Sequence, residues 1–150
     1  MLVECILSVD ARRVIYNTFK SKKFYRQLLW GLKEMKLYSY NKCGTCRKAK
    51  KLLDANKVLY DEIDITETPP SKLILKKAIE GRGIKKLFNT SGEQYKKLRM
   101  KDKIGTMSEA QALELLSRNG RLVKRPIAVD GNRITVGFDE NEYKKVWSKG

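Results

Sequence analysis

Histidine is absent from the 150 residues. That removes the commonest general base and the commonest zinc ligand. Only three cysteines are present, too few for a disulfide framework. No apolar run approaches the ~18 residues of a membrane span. Met1–Val9 is apolar but contains Glu4. It has no basic region before it and no small-residue cleavage site after it, so it does not read as a secretory signal. Acidic residues are outnumbered, 17 Asp/Glu against 33 Lys/Arg, for a formal net charge of +16. Such a field favours anionic partners: nucleic acid, phosphate-like oxyanions or an acidic protein surface. The basic residues are spread along the chain, which fits a solvated basic surface. There is no helix-turn-helix or other DNA-reading motif, no internal repeat and no low-complexity tract.

The length suffices for one domain with a hydrophobic core. Residues 1–34 differ from the rest of the chain, with seven Lys/Arg, three Asp/Glu and many large apolar residues. A basic amphipathic helix over about 12–33 is expected there. Because a strand pattern begins directly after Met35, 1–34 reads as an N-terminal basic extension and 35–150 as the domain.

From Met35 onward, short strands and helices alternate. Lys36–Tyr40 predicts a strand. Cys46–Ala55 predicts a helix with Cys46, Ala49, Leu52 and Leu53 on one face and Asn56 as a left-handed stop. Val58–Ile65 predicts a second strand, parallel to the first as the end of a βαβ unit. Thr68-Pro69-Pro70 reads as the opening of a further helix, with Ile74, Leu75, Ala78 and Ile79 as its apolar face. Ser91 to Gln94 and Ser108 to Gln111 have the form of capping boxes, as does Asp139 to Glu142. Ile127–Val129 and Ile134–Gly137 flank a hairpin turn at Asp130-Gly131. The order predicts an α/β fold: a four-stranded mixed sheet with flanking helices and an inserted helical subdomain at about 68–119.

Cys43-Gly44-Thr45-Cys46 lies between the first strand and the first helix. A thiolate at a helix N-terminus meets unpaired backbone N–H groups and the positive end of the dipole. Lys42, Arg47 and Lys48 add positive charge nearby. Cys43 is therefore expected to be the low-pKa attacking thiol, and Cys46, deeper in the helix, the resolving one. The same residues also read as half a zinc site or as two inert cysteines. A structural zinc site needs four ligands, and the only other thiol is Cys5, with no histidine to help. A CxxC placed where a strand turns into a helix favours a redox pair, and its presence in a chain so poor in cysteine fits the reducing cytoplasm. Arg125-Pro126 stands before a strand. Sequence mechanics leaves the proline equally open to a cis bond and to an ordinary trans strand start.

The runs Tyr40–Ala49, Thr68-Pro69-Pro70, Leu87–Tyr95, Leu122–Ile127 and Val136-Gly137-Phe138, in this order and spacing, resemble the arsenate reductase (ArsC)-related family, which includes the Spx/MgsR transcriptional regulators. The resemblance spans about 35–149. It implies a thioredoxin-like fold with a helical insertion, Cys43 as nucleophile, Arg125 as an anion-binding arginine and a cis Pro126. It also implies a site shaped by Gly44, Thr45 and Asn89. No bound cofactor is implied; glutathione or a thioredoxin/glutaredoxin system would be the reductant, and a small oxyanion or a disulfide the substrate. Glutathione-linked arsenate reductases of this type surround the oxyanion with three arginines. Here Arg125 matches one, while the other two positions fall near Asn89 and Phe138, and Cys46 stands where those enzymes have serine. In Spx-type regulators the cysteine pair is a disulfide switch that controls contact with RNA polymerase. A thiol–disulfide oxidoreductase is thus the leading expectation, and a redox-sensing regulator the alternative.

Overall fold

The computed structural model describes residues 35–80 and 82–148; the helix expected at 12–33 and the extension 1–34 lie outside them. Strand β1 (Met35–Ser39) is followed by helix α1 (Gly44–Ala55) and strand β2 (Tyr60–Asp64). β1 and β2 pair in parallel, Met35 opposite Tyr60. β3 (Ile127–Asp130) pairs antiparallel with β1, and β4 (Arg133–Val136) antiparallel with β3. The sheet order is β2-β1-β3-β4, the expected mixed sheet. Between β2 and β3 run α2 (Lys72–Ile79), α3 (Glu93–Lys97), α4 (Met100–Lys103) and α5 (Glu109–Arg118); α6 (Glu140–Trp147) closes the described chain. Among the described residues no helix is long and apolar enough to cross a membrane.

The sheet separates two apolar cores, and the period-two alternation of its strands assigns residues to each. Tyr38 and Ile127 face the core shared with Leu75, Leu87, Met100 and Leu116 of the helical insertion. Their neighbours Leu37 and Ala128 face the other core, with Ala49 and Leu53 of α1 and Tyr143 and Trp147 of α6. In α1, Cys46, Ala49 and Leu53 fall at i, i+3 and i+7 and are fully buried.

Several local expectations need correction. The left-handed residue after α1 is Lys57 (φ 55°), not Asn56; Asn56 instead donates its side-chain N–H to the Leu52 carbonyl at 2.9 Å. α2 begins at Lys72, capped by Ser71, so both prolines precede it. Neither has an N–H to give, and the Ser71 hydroxyl can satisfy an orphan amide that they cannot. Ser91 caps nothing: Gly92 occupies the N-cap of α3 without a side-chain bond. The Ser108–Gln111 box forms in both directions, and Asp139 caps α6 by accepting from the Glu142 N–H at 2.8 Å. Glu142 does not return the bond, because its carboxylate pairs with Arg82. The hairpin closes through Gly131-Asn132, Gly131 supplying the positive φ (59°) its first central position needs. α4 and the short 3₁₀ turn Gly120–Leu122 carried no sequence signal.

Candidate active site

β1 ends at Ser39, and the chain turns through Tyr40–Lys42 into α1. The Cys43 N–H donates to the Tyr40 carbonyl at 3.0 Å, closing that turn. Cys43 is then the N-cap residue of α1, in extended conformation, and its own carbonyl accepts from the Arg47 N–H at 3.1 Å. The helix thus starts two residues before Cys46, which lies one turn deep. Gly44 and Thr45 occupy the first turn and are exposed.

The two thiols differ sharply in surroundings. Cys43 is partly exposed, whereas Cys46 is completely buried. Partial burial alone would raise the Cys43 pKa. Hydrogen bonds from the Cys46 backbone and thiol, together with a hydrogen bond from Arg125 and its positive charge, outweigh that and hold the pKa below the ordinary thiol value. Burial, with the like charge of Cys43, pushes the Cys46 thiol up to about 12 despite a backbone hydrogen bond from Tyr40. The cation acting on Cys43 is Arg125, which comes from 82 residues further along the chain. Lys42, Arg47 and Lys48 are exposed, where solvent and salt screen them.

Arg125 is delivered by the segment before β3. Phe88 bridges Val123, the Asn89 N–H donates to the Leu122 carbonyl at 2.8 Å, and the Lys124 N–H donates back to the Leu87 carbonyl at 2.6 Å. These bonds place Asn89 on a strip of chain bound to the residues leading into Arg125. The Asn89 side chain also packs so closely on Gly92 that a Cβ there would displace its amide. The Arg125–Pro126 bond is cis, as the resemblance implied. The Pro126 carbonyl accepts from Gly137 N–H at 2.8 Å, which ties the proline to the start of the Gly137-Phe138 turn. Phe138 stacks edge-on against Tyr143, with ring centroids 5.0 Å apart.

The structure therefore brings together Cys43, Cys46 and Arg125, with Pro126 next in the chain and Asn89 on a strip bound to the segment before Arg125. Sequence reasoning gave no role to Tyr40. Its ring lies under the Arg125 guanidinium, 4.9 Å from Cζ to centroid. A tyrosine three residues before a helix-capping cysteine was a visible signal, but its partner was not.

The chain is similar to proteins of known sequence and structure. The chain is 50% identical to the uncharacterized protein YusI of Bacillus subtilis (strain 168) over 113 residues, 74% of this chain and 96% of that protein. It is 30% identical to the regulatory protein MgsR of the same organism over 118 residues, 77% of this chain and 92% of MgsR. The crystal structure of an ArsC family related protein from Bacteroides fragilis superposes with a TM-score of 0.71 at 40% identity, covering 75% of this chain and 97% of that one. The family model of the ArsC family matches residues 38–146, from the third core position of β1 to the last turn of α6, and the chain belongs to the ArsC family.

Proposed function

We propose that the protein is a cytoplasmic thiol–disulfide oxidoreductase in which Cys43 attacks, Cys46 resolves and Arg125 stabilises the charge on Cys43. The observation that carries this reading is the unlike placement of two thiols three residues apart, Cys43 partly exposed at the N-cap of α1 and Cys46 completely buried in its first turn. Nucleophile and resolving group need that division.

The Cys43 thiolate attacks one sulfur of a substrate disulfide, and the other sulfur leaves as a thiolate that takes up a proton. Cys43 is now neutral, so the like charge that helps hold Cys46 protonated is gone. Cys46 loses its proton and attacks Cys43 Sγ, releasing the second substrate thiol and leaving the Cys43–Cys46 disulfide. Two electrons have passed to the substrate. Glutathione, or a thioredoxin or glutaredoxin system, returns them. Arg125 and the unpaired amides at the start of α1 hold negative charge at Cys43 in both directions.

A second reading has its own support in the similarity to MgsR. In it the same pair is a redox sensor whose disulfide controls contact with RNA polymerase, and steady turnover is not needed. Catalytic turnover of a disulfide substrate with one of the three reductants is expected under the first reading. Its absence, with redox-dependent capture of RNA polymerase in a pull-down, would replace the first reading by the second. Arsenate turnover is expected to be slow. An oxyanion pocket needs several fixed cations to offset desolvation of a multiply charged ligand, and Asn89 and Phe138 supply none. Robust arsenate reduction with glutathione and glutaredoxin would show that other basic residues fill that role.

A further inference from the structure

We propose that Tyr40 is the positioning residue of this site, its ring holding the Arg125 guanidinium beside Cys43 while its carbonyl anchors the start of the cysteine turn. The inference rests on the oxidoreductase reading of the pair.

Two contacts from different parts of one residue converge here. The Tyr40 carbonyl accepts from the Cys43 N–H at 3.0 Å. The Tyr40 ring faces Arg125 Cζ at 4.9 Å, within cation–π range. Arg125 otherwise has little to hold it. Its Nε is buried with no hydrogen-bond partner. Among the described residues it makes no salt bridge, and its charge acts on the Cys43 and Cys46 thiols. An arginine side chain has many rotamers, and attraction to a partly exposed thiol leaves most of them open. The ring is the planar surface that selects the rotamer aimed at Cys43. Tyr40 is itself fixed, because it follows Ser39, the last residue of the central strand β1, whose carbonyl accepts from the Ile65 N–H at 2.9 Å. The central strand, the attacking thiol and the distant arginine are thereby locked in one register.

The ring acts through Arg125, so its removal is expected to act on the thiol only while Arg125 is present. The experiment uses the full-length chain and follows the iodoacetamide reaction rate of Cys43 from pH 5 to 10 in the wild type, Tyr40→Phe, Tyr40→Leu, Arg125→Ala and the Tyr40→Leu/Arg125→Ala double variant. Tyr40→Phe keeps the π face and is expected to reproduce the wild-type profile. Tyr40→Leu is expected to move the profile to higher pH and slow the reaction at pH 7 roughly three- to tenfold, the range a lost cation–π contact supports. The double variant is expected to match Arg125→Ala alone.

A Tyr40→Leu protein that folds and keeps the wild-type profile overturns the proposal. So does a shift in Tyr40→Leu that persists undiminished on the Arg125→Ala background. A wild type with no low-pH thiol overturns the parent reading instead, so the two failures are distinct. Should Tyr40→Leu fail to fold, the wild type and Tyr40→Phe decide. Proton resonances of the Arg125 side chain displaced upfield by the ring current are expected in both proteins; unshifted resonances in the wild type overturn the proposal.

Discussion

At the scale of single residues, the site works by placing two identical thiols in unlike surroundings. Cys43 has solvent, amides and a cation; Cys46 has none of the first and little of the others. In the Cys46→Ser variant, fast alkylation near neutral pH is expected to persist, with mixed disulfides accumulating because nothing resolves them. In Cys43→Ser it is expected to vanish. Arg125→Ala should move the Cys43 profile to higher pH with the fold kept, since the guanidinium favours the charged form. Iodoacetamide rates against pH test all three, and a fast thiol that survives in Cys43→Ser would reverse the roles. The buried thiol also carries a stability signature. Its folded pKa, about 12, lies above the ~8.5 of an unfolded cysteine. The folded state therefore binds more protons between these values, and stability present below pH ~8.5 is lost as pH rises toward 12. Tyr38, Tyr60 and Tyr143, raised mainly by burial, act in the same direction. Urea midpoints measured from pH 8 to 11 are expected to fall, and to fall less steeply in Cys46→Ala. Parallel slopes in the two proteins would deny Cys46 that role.

At the scale of elements, three of the six helices among the described residues, α2, α5 and α6, start on a local side-chain cap. Ser71, Ser108 and Asp139 each accept a backbone N–H at the start of a helix, a type of contact typically worth ~1 kcal/mol. One connection is set by close approach instead. The 3₁₀ turn that begins at Gly120 runs against the chain just after β2, so that a Cβ on Gly120 would collide with the backbone carbonyl of Ile65. The obstacle is main chain, and no side-chain rotamer can relieve it. The Ile65 N–H donates to the Ser39 carbonyl, so displacement would reach the end of β1. Gly120→Ala is expected to destabilise by about 3 kcal/mol, the upper part of the range for overpacking. A denaturant midpoint equal to wild type would show that the turn can move away without cost.

At the scale of the molecule, β1, α1 and β2 with the β3–β4 hairpin and α6 form the frame, and the helical insertion covers the face of the sheet that Tyr38 and Ile127 line. The described residues by themselves supply four paired strands, an apolar core on each face of the sheet and the site. We therefore propose that residues 1–34 are dispensable for folding. A chain beginning at Met35 is expected to melt within about 4 °C of the full chain, the shift that roughly 1 kcal/mol produces in a domain of this size. A collapse of the shorter chain would make the extension part of the core.

Much of this protein was determined by the order of its residues alone. The strand–CxxC–helix passage, the caps Ser108 and Asp139, the hairpin glycine and the period-two strands are local patterns, and each is enforced by backbone geometry within a few residues. They sufficed to name both thiols and to place them at the start of α1. Helix boundaries shifted where caps competed: Ser71 displaced the two prolines, and Gly92 displaced Ser91. What only the tertiary structure decided is the contact set of Arg125. The resemblance put that arginine beside the Cys43 thiol, where it acts, but nothing in the sequence marked the Tyr40 ring beneath it. The sequence likewise could not show the main-chain collision that demands Gly120, or that Cys46 is sealed completely from water. These features join residues tens of positions apart. They exist only when two cores have packed on opposite faces of one sheet, and no short-range periodicity encodes which side chains then meet.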